Sequence, residues 1–114
     1  MSLSSGLNPD TLERQLQLAN DRLSRAEADL ADAKVALAND KGALSAAQSS
    51  LLNSIEQGKS ESALSRLDRM VTTCEDTVKR TDENYKRADD NYKQAEKRVL
   101  LLTQSLTQLG AALY

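Results

Sequence analysis

The sequence predicts an all-α fold: an antiparallel two-helix coiled-coil hairpin, with dimerisation into a four-helix bundle left open. Three observations support this. Leucines recur at every seventh residue in the first half of the chain, a similar array fills the second half, and Gly58 lies between the two arrays. Sustained heptads are typical of coiled coils. A short connection between two long helices makes them run antiparallel.

The first array alternates leucines at positions named a with smaller residues at positions named d. The a set is Leu16, Leu23, Leu30, Leu37, Leu44 and Leu51, and the d set is Ala19, Ala26, Ala33, Asp40, Ala47 and Ser54. In the second array the a residues are Leu64, Val71, Val78, Tyr85, Tyr92, Val99, Leu106 and Leu113. Its d residues are Leu67, Cys74, Thr81, Ala88, Ala95, Leu102 and Leu109. We refer to these a and d positions together as the seam.

Capping residues set the predicted boundaries. Asn8 and Pro9 are suited to the start of a helix, Ser60 can cap a second helix, and Gly110 can end it. We therefore predict an N-terminal flexible segment 1–8, a single hairpin domain 9–110 (helix 9–57, turn 58–59, helix 60–109) and a C-terminal tail 111–114.

A turn near residue 59 predicts the register, because facing residue numbers must then sum to about 118. Each core tyrosine faces an alanine in this register, with Tyr85 opposite Ala33 and Tyr92 opposite Ala26. Leu44 faces Cys74. Matching large residues with small ones is what a close-packed helix pair needs.

Two seam residues carry polar or reactive groups. Asp40 is either a buried polar residue that fixes the register or a side chain that turns outward beside Lys41, and we expect the outward orientation. Cys74 is followed by two acids, which disfavour a thiolate, so we interpret it as a small core residue.

Acidic and basic residues alternate along the second helix. The i,i+4 spacing predicts the ion pairs Glu75–Lys79, Asp76–Arg80, Asp82–Lys86, Glu83–Arg87 and Asp89–Lys93. The bases Lys79, Arg80, Lys86, Arg87, Lys93, Lys97 and Arg98 are thus interleaved with acids, and the chain's net charge is −2. This pattern favours a solvated face and argues against nucleic-acid binding.

Two further surfaces could contact another helix. The first is a stripe of mostly small residues on the first helix, here called the small-residue stripe: Ala28, Ala31, Val35, Ala38, Gly42, Ser45, Ser49 and Leu52. The second contains Leu18, Leu100 and Leu101. Small residues let helices approach closely, but alanine also suits any exposed helix. A homodimer interface and a solvated face therefore both stay open.

Tyr85 and Tyr92 are each followed four residues later by an acid, Asp89 and Glu96. This spacing matches the Tyr-x-x-x-Asp/Glu export motif of the small secreted hairpins of the ESAT-6 (WXG100) type. The chain also resembles them in size, acidic pI and helical pattern. The resemblance implies secretion without a cleaved signal peptide, although the family's Trp-x-Gly turn is missing because the chain has no Trp.

The expected function is structural. The sequence has no His and one Cys, and a two-helix rod offers no water-excluded site, so we expect no enzyme, no catalytic, metal or cofactor-binding residue and no cofactor. Its apolar runs are too short to insert in a membrane. We expect a cytoplasmic protein-interaction module (adaptor, assembly or chaperone-like component), with a secreted hairpin and a dimeric nucleic-acid-binding regulator as alternatives.

Overall fold

The fold is an all-α helical hairpin, as the sequence predicts. A computed structural model describes residues 8–113 and the side chains of residues 8–110. Within that range there are two helices and no strand: α1 spans Pro9–Glu56 and α2 spans Glu61–Leu113. Apart from Asn8, the predicted flexible segment 1–8 lies outside the described residues, as does Tyr114.

Asn8 caps the start of α1. Its side-chain Oδ1 accepts a hydrogen bond from the backbone N–H of Asp10 at 2.9 Å, and its carbonyl accepts one from the N–H of Leu12 at 3.0 Å. The cap satisfies a backbone donor that has no partner within the helix. Pro9 lacks an N–H and fits the first helical position. The predicted start of α1 is confirmed.

Gly58 ends α1 in a left-handed conformation, with φ of 69°. Its N–H donates to the carbonyl of Ile55 at 3.1 Å, and the N–H of Lys59 donates to the carbonyl of Ser54 at 3.0 Å. This pair of bonds is the Schellman motif, which satisfies the last carbonyls of a helix. The end of α1 at Glu56 is one residue before the predicted boundary.

Ser60 caps α2. Its Oγ accepts a hydrogen bond from the N–H of Ala63 at 3.3 Å, and its carbonyl accepts one from the N–H of Leu64 at 3.0 Å. With Gly58 ending one helix and Ser60 capping the next, only four residues separate α1 from α2. The sequence signals for the turn are therefore confirmed by their hydrogen bonds.

The other end of α2 differs from the prediction. Gly110 was expected to end the helix, but α2 continues through Gly110 to Leu113, so residues 111–113 of the predicted tail are helical. Gly110 does not adopt the positive φ that ends α1 at Gly58. Glycine permits a left-handed helix end without requiring one, and Ala111, Ala112 and Leu113 are strong helix formers.

Two glycines of the chain provide a matched test of the turn. A Cβ added at Gly58 or at Gly42 would meet no atom within 4 Å, so only backbone conformation separates the two sites. We expect Gly58→Ala to destabilise the hairpin by about 1 kcal/mol, because alanine is strained at positive φ. Gly42→Ala, within α1, should stabilise it by up to about 1 kcal/mol. Urea unfolding followed by circular dichroism measures both, and equal effects would contradict the turn geometry.

The chain divides into two compact units, and each helix contributes a segment to both. Unit 1, as far as the structure describes it, consists of residues 8–30 and 88–113, and unit 2 is Ala31–Arg87. Every seam residue whose side chain is described is buried or half-buried. The seam of the sequence is therefore the buried side of both helices.

Unit 1 packs around one apolar cluster. Leu12, Ala19 and Leu102 are buried at its centre, and the half-buried residues packed against them are Leu16, Val99, Leu106 and Leu109. The cluster contains both members of the predicted layers Leu12–Leu106, Leu16–Leu102 and Ala19–Val99. The packing therefore agrees with the predicted register in this unit.

Unit 2 has four buried residues, one of which is polar. Its buried residues are Leu37, Ala47, Val71 and Thr81. No described side chain in the molecule is less than 2% exposed. Each large side chain of the seam therefore keeps some contact with water.

Candidate interaction surfaces

Asp40 does not have the expected outward orientation. Its half-buried carboxylate lies 2.5 Å from the hydroxyl of Thr81, a buried residue of the other helix. The predicted register puts Asp40 and Thr81 in adjacent layers, and their hydrogen bond agrees with it. Lys41, the neighbour expected to draw Asp40 outward, makes no ion pair with a described residue. The alternative interpretation, a polar residue within the seam, is the correct one.

The Thr81 hydroxyl has two acceptors within reach. Its Oγ1 also lies 2.7 Å from the backbone carbonyl of Thr77, one turn earlier in α2. A hydroxyl carries one proton and donates to one acceptor at a time. Thr81 thus keeps a partner on its own helix whether or not Asp40 is present, whereas Asp40 has no other hydrogen-bond or ion-pair partner among the described residues. Loss of the contact would therefore leave the Asp40 carboxylate without a partner but not the Thr81 hydroxyl.

Two of the five predicted ion pairs form on α2. Lys86 Nζ lies 3.1 Å from Asp82 Oδ2, and Lys93 Nζ lies 2.9 Å from Asp89 Oδ2. The other three pairs, Glu75–Lys79, Asp76–Arg80 and Glu83–Arg87, are not formed between these described side chains. Both paired acids are half-buried beside the seam. Because the lysine of each pair is exposed, the pairs contribute little stability, about 0.2–0.5 kcal/mol each.

The Tyr-x-x-x-acid spacing at Tyr92 forms a contact within the helix. The Glu96 carboxylate, as an acceptor for the phenol proton, raises the pKa of Tyr92 above its ordinary value of 10.0. The negative charges of Glu96 and Glu27 and partial burial raise it further. Residues four apart lie on one helix face, so helix geometry alone accounts for this contact.

The raised pKa of Tyr92 makes the stability of the fold depend on pH in the alkaline range. A raised pKa means that the folded chain holds the phenol proton more tightly than the unfolded chain. The stabilisation is therefore complete below pH 10 and is lost as the pH rises through the pKa of folded Tyr92. Glu96→Gln should lower this pKa, shifting part of the tyrosinate absorbance titration to lower pH. A titration identical to that of the unmodified chain would contradict the Tyr92–Glu96 contact.

Cys74 is a free, half-buried cysteine on the seam, which agrees with its interpretation as a small core residue. No group of three or more Cys, Asp or Glu within residues 8–113 is arranged to hold a metal ion. Neither α1 nor α2, as far as they are described, has a stretch long and apolar enough to cross a membrane.

Large apolar side chains remain on the surface of both units. In unit 2, Leu52 is 61% exposed, and Val35, Ile55 and Met70 are at least half exposed. In unit 1 the three leucines that the sequence singled out are also at least half exposed: Leu18, Leu100 and Leu101. Every residue of the small-residue stripe is exposed as well. The described hairpin leaves these side chains without a covering element.

Unit 2 also has an open groove of about 730 Å³ along the start of α2, here called the arginine groove. The residues that matter for its chemistry are Ala63, Arg66, Arg69, Met70, Thr73 and Cys74. The heptad pattern of the sequence does not predict this groove. One feature of the sequence does indicate it: Met70 is a large apolar residue outside the seam, and arginines lie one and four positions before it.

Comparisons with protein-family models, with curated proteins and with solved structures find no match to this chain.

Proposed function

We propose that this chain is a non-enzymatic helical-hairpin module that binds other proteins through the outer faces of its helices, as an adaptor, assembly factor or chaperone-like component does. The proposal is supported by the exposure of seven large apolar side chains among the described residues. The seam is formed by other residues, so these seven are not needed to pair α1 with α2.

Exposure of this kind has a free-energy cost that a partner would remove. Burying a large aliphatic side chain is worth about 1.5–3 kcal/mol. Single exposed apolar residues are common on soluble proteins, but Leu52 and Ile55 are three residues apart on α1 and lie on adjoining parts of its surface. A partner helix lying along the hairpin would cover such side chains, which is a common mode of peptide recognition.

Site-specific photocross-linking tests the proposal. A photoreactive amino acid replaces Leu52 or Leu101 in cells that produce the protein, and the matched controls replace Gln48 or Gln104, which are exposed and polar. We expect a discrete cross-linked product from the leucine positions only. Its mass distinguishes a second copy of the chain from a different protein. No product, or equal products from leucine and glutamine positions, would refute the proposal.

A further inference from the structure

The arginine groove contains two positive charges that the described residues leave unneutralised. Arg66 makes no hydrogen bond or ion pair with a described residue, and Arg69 makes only a long hydrogen bond, 3.4 Å, from its Nε to the carbonyl of Ser65. The two arginines are three positions apart, so they lie on one face of α2 about 4.5 Å apart along its axis. A guanidinium binds a carboxylate through two parallel hydrogen bonds.

Acidic side chains near the groove do not neutralise it. Asp68 lies between the arginines in sequence, and Glu61 lies between two residues that line the groove, but neither acid lines it or forms an ion pair among the described side chains. On α1, residues 42–55 contain no charged side chain, and Glu56 at the end of the helix forms no ion pair with a described side chain. The groove therefore has the electrostatic character of a site for an anionic partner.

The groove also has two apolar residues beside the arginines, Ala63 and Met70. Met70 is half exposed, and Ala63, Arg66, Met70 and Thr73 follow one another at i, i+3, i+7 and i+10 on the helix surface. This spacing forms a straight stripe that a second helix could follow. Methionine is flexible and polarizable and adapts to differently shaped apolar partners.

We propose that the arginine groove binds an acidic amphipathic helix of another protein, with its carboxylates on Arg66 and Arg69 and an apolar side chain on Met70. This inference rests on the proposed function and names the chemistry of one partner. A second copy of this chain docked by a twofold axis through the groove would bring the arginines of both copies together. Such an arrangement of like charges is unfavourable.

Fluorescence anisotropy with the full chain and a labelled synthetic helix tests the inference. The probe is a peptide of about 18 residues with paired glutamates beside a row of leucines, and its counterpart has lysine in place of every glutamate. We expect saturable binding of the glutamate peptide only. The double variant Arg66→Gln/Arg69→Gln should weaken this binding about tenfold, and Met70→Ser should weaken it severalfold.

A matched pair of arginines supplies the control. Arg22 and Arg25 have the same i,i+3 spacing and are exposed on α1 in unit 1. Arg22→Gln/Arg25→Gln should leave the affinity unchanged. Arg66→Lys/Arg69→Lys keeps the charge and should retain most of the binding. Circular dichroism of every variant separates a loss of binding from a loss of folding.

Any of the following results would overturn the inference: no saturable binding of the glutamate peptide, equal binding of the lysine peptide, an equal loss from the Arg22 and Arg25 control, or tighter arginine-dependent binding of a single-stranded DNA oligonucleotide. A dimer in light scattering that the Arg66 and Arg69 variant abolishes would also overturn it, in favour of self-association. The photocross-links from Leu52 and Leu101 lie outside the groove, so they can succeed even where this inference fails.

Discussion

Leu102→Ala is expected to lower the free energy of unfolding by about 2–3 kcal/mol. Leu102 is only 7% exposed and lies at the centre of the apolar cluster of unit 1, with Leu12 and Ala19. Truncation removes buried methyl groups and leaves a void that two rigid helices cannot close. The expected cost lies at the low end of the range for buried leucines, because the side chain of Leu102 keeps some contact with water.

The adjacent leucine is a matched control for this substitution. Leu101 is 50% exposed and packs outside the cluster, so Leu101→Ala should change the stability by less than about 0.5 kcal/mol. Both variants make the same chemical change in neighbouring residues of one helix. Urea unfolding measured by circular dichroism gives the two values. Equal losses would show that burial at the seam does not determine the stability of unit 1.

Thr81→Val is expected to cost about 1–2 kcal/mol, although valine has the same shape as threonine and is more apolar. The substitution removes the donor that lies 2.5 Å from the Asp40 carboxylate and leaves that half-buried charge without its partner on α2. Asp40→Ala should cost much less, because Thr81 keeps the carbonyl of Thr77 as an acceptor. Alanine is also the better helix former.

The double variant completes the test. If the Asp40–Thr81 contact causes the loss, Asp40→Ala in the Thr81→Val background should recover most of the lost stability, because no carboxylate is left unpaired. Purely additive single and double variants would show that the two side chains do not interact. Thermal unfolding of the four proteins at neutral pH provides the measurement.

The fold could be predicted closely because its determinants are local and periodic. The seven-residue spacing of leucines identified the buried side of α1, and each seam residue with a described side chain is at least half-buried. Asn8 and Ser60 carry side chains that bond their own helix starts, and Gly58, which lies between the two arrays, ends α1 with a positive φ. Such signals act within a few residues, where sequence reasoning is strongest.

Features that depend on long-range contacts or on a choice between allowed conformations were predicted less well. The orientation of Asp40 depends on a hydroxyl 41 residues away in sequence, so the nearby Lys41 gave the wrong expectation. Gly110 can end or continue a helix, and the sequence does not say which. The arginine groove depends on how exposed side chains such as Arg66 and Met70 lie on the surface, which periodicity does not determine.

Disulfide formation in Leu44→Cys tests whether α1 and α2 pair within one chain in the predicted register. The new thiol should face Cys74, the chain's only native cysteine. Mild oxidation should give a monomer with an internal disulfide, which moves faster on non-reducing gels. Leu52→Cys, at an exposed site on α1, should give no internal cross-link. Failure of Leu44→Cys to cross-link, or cross-linking only between chains, would contradict the account.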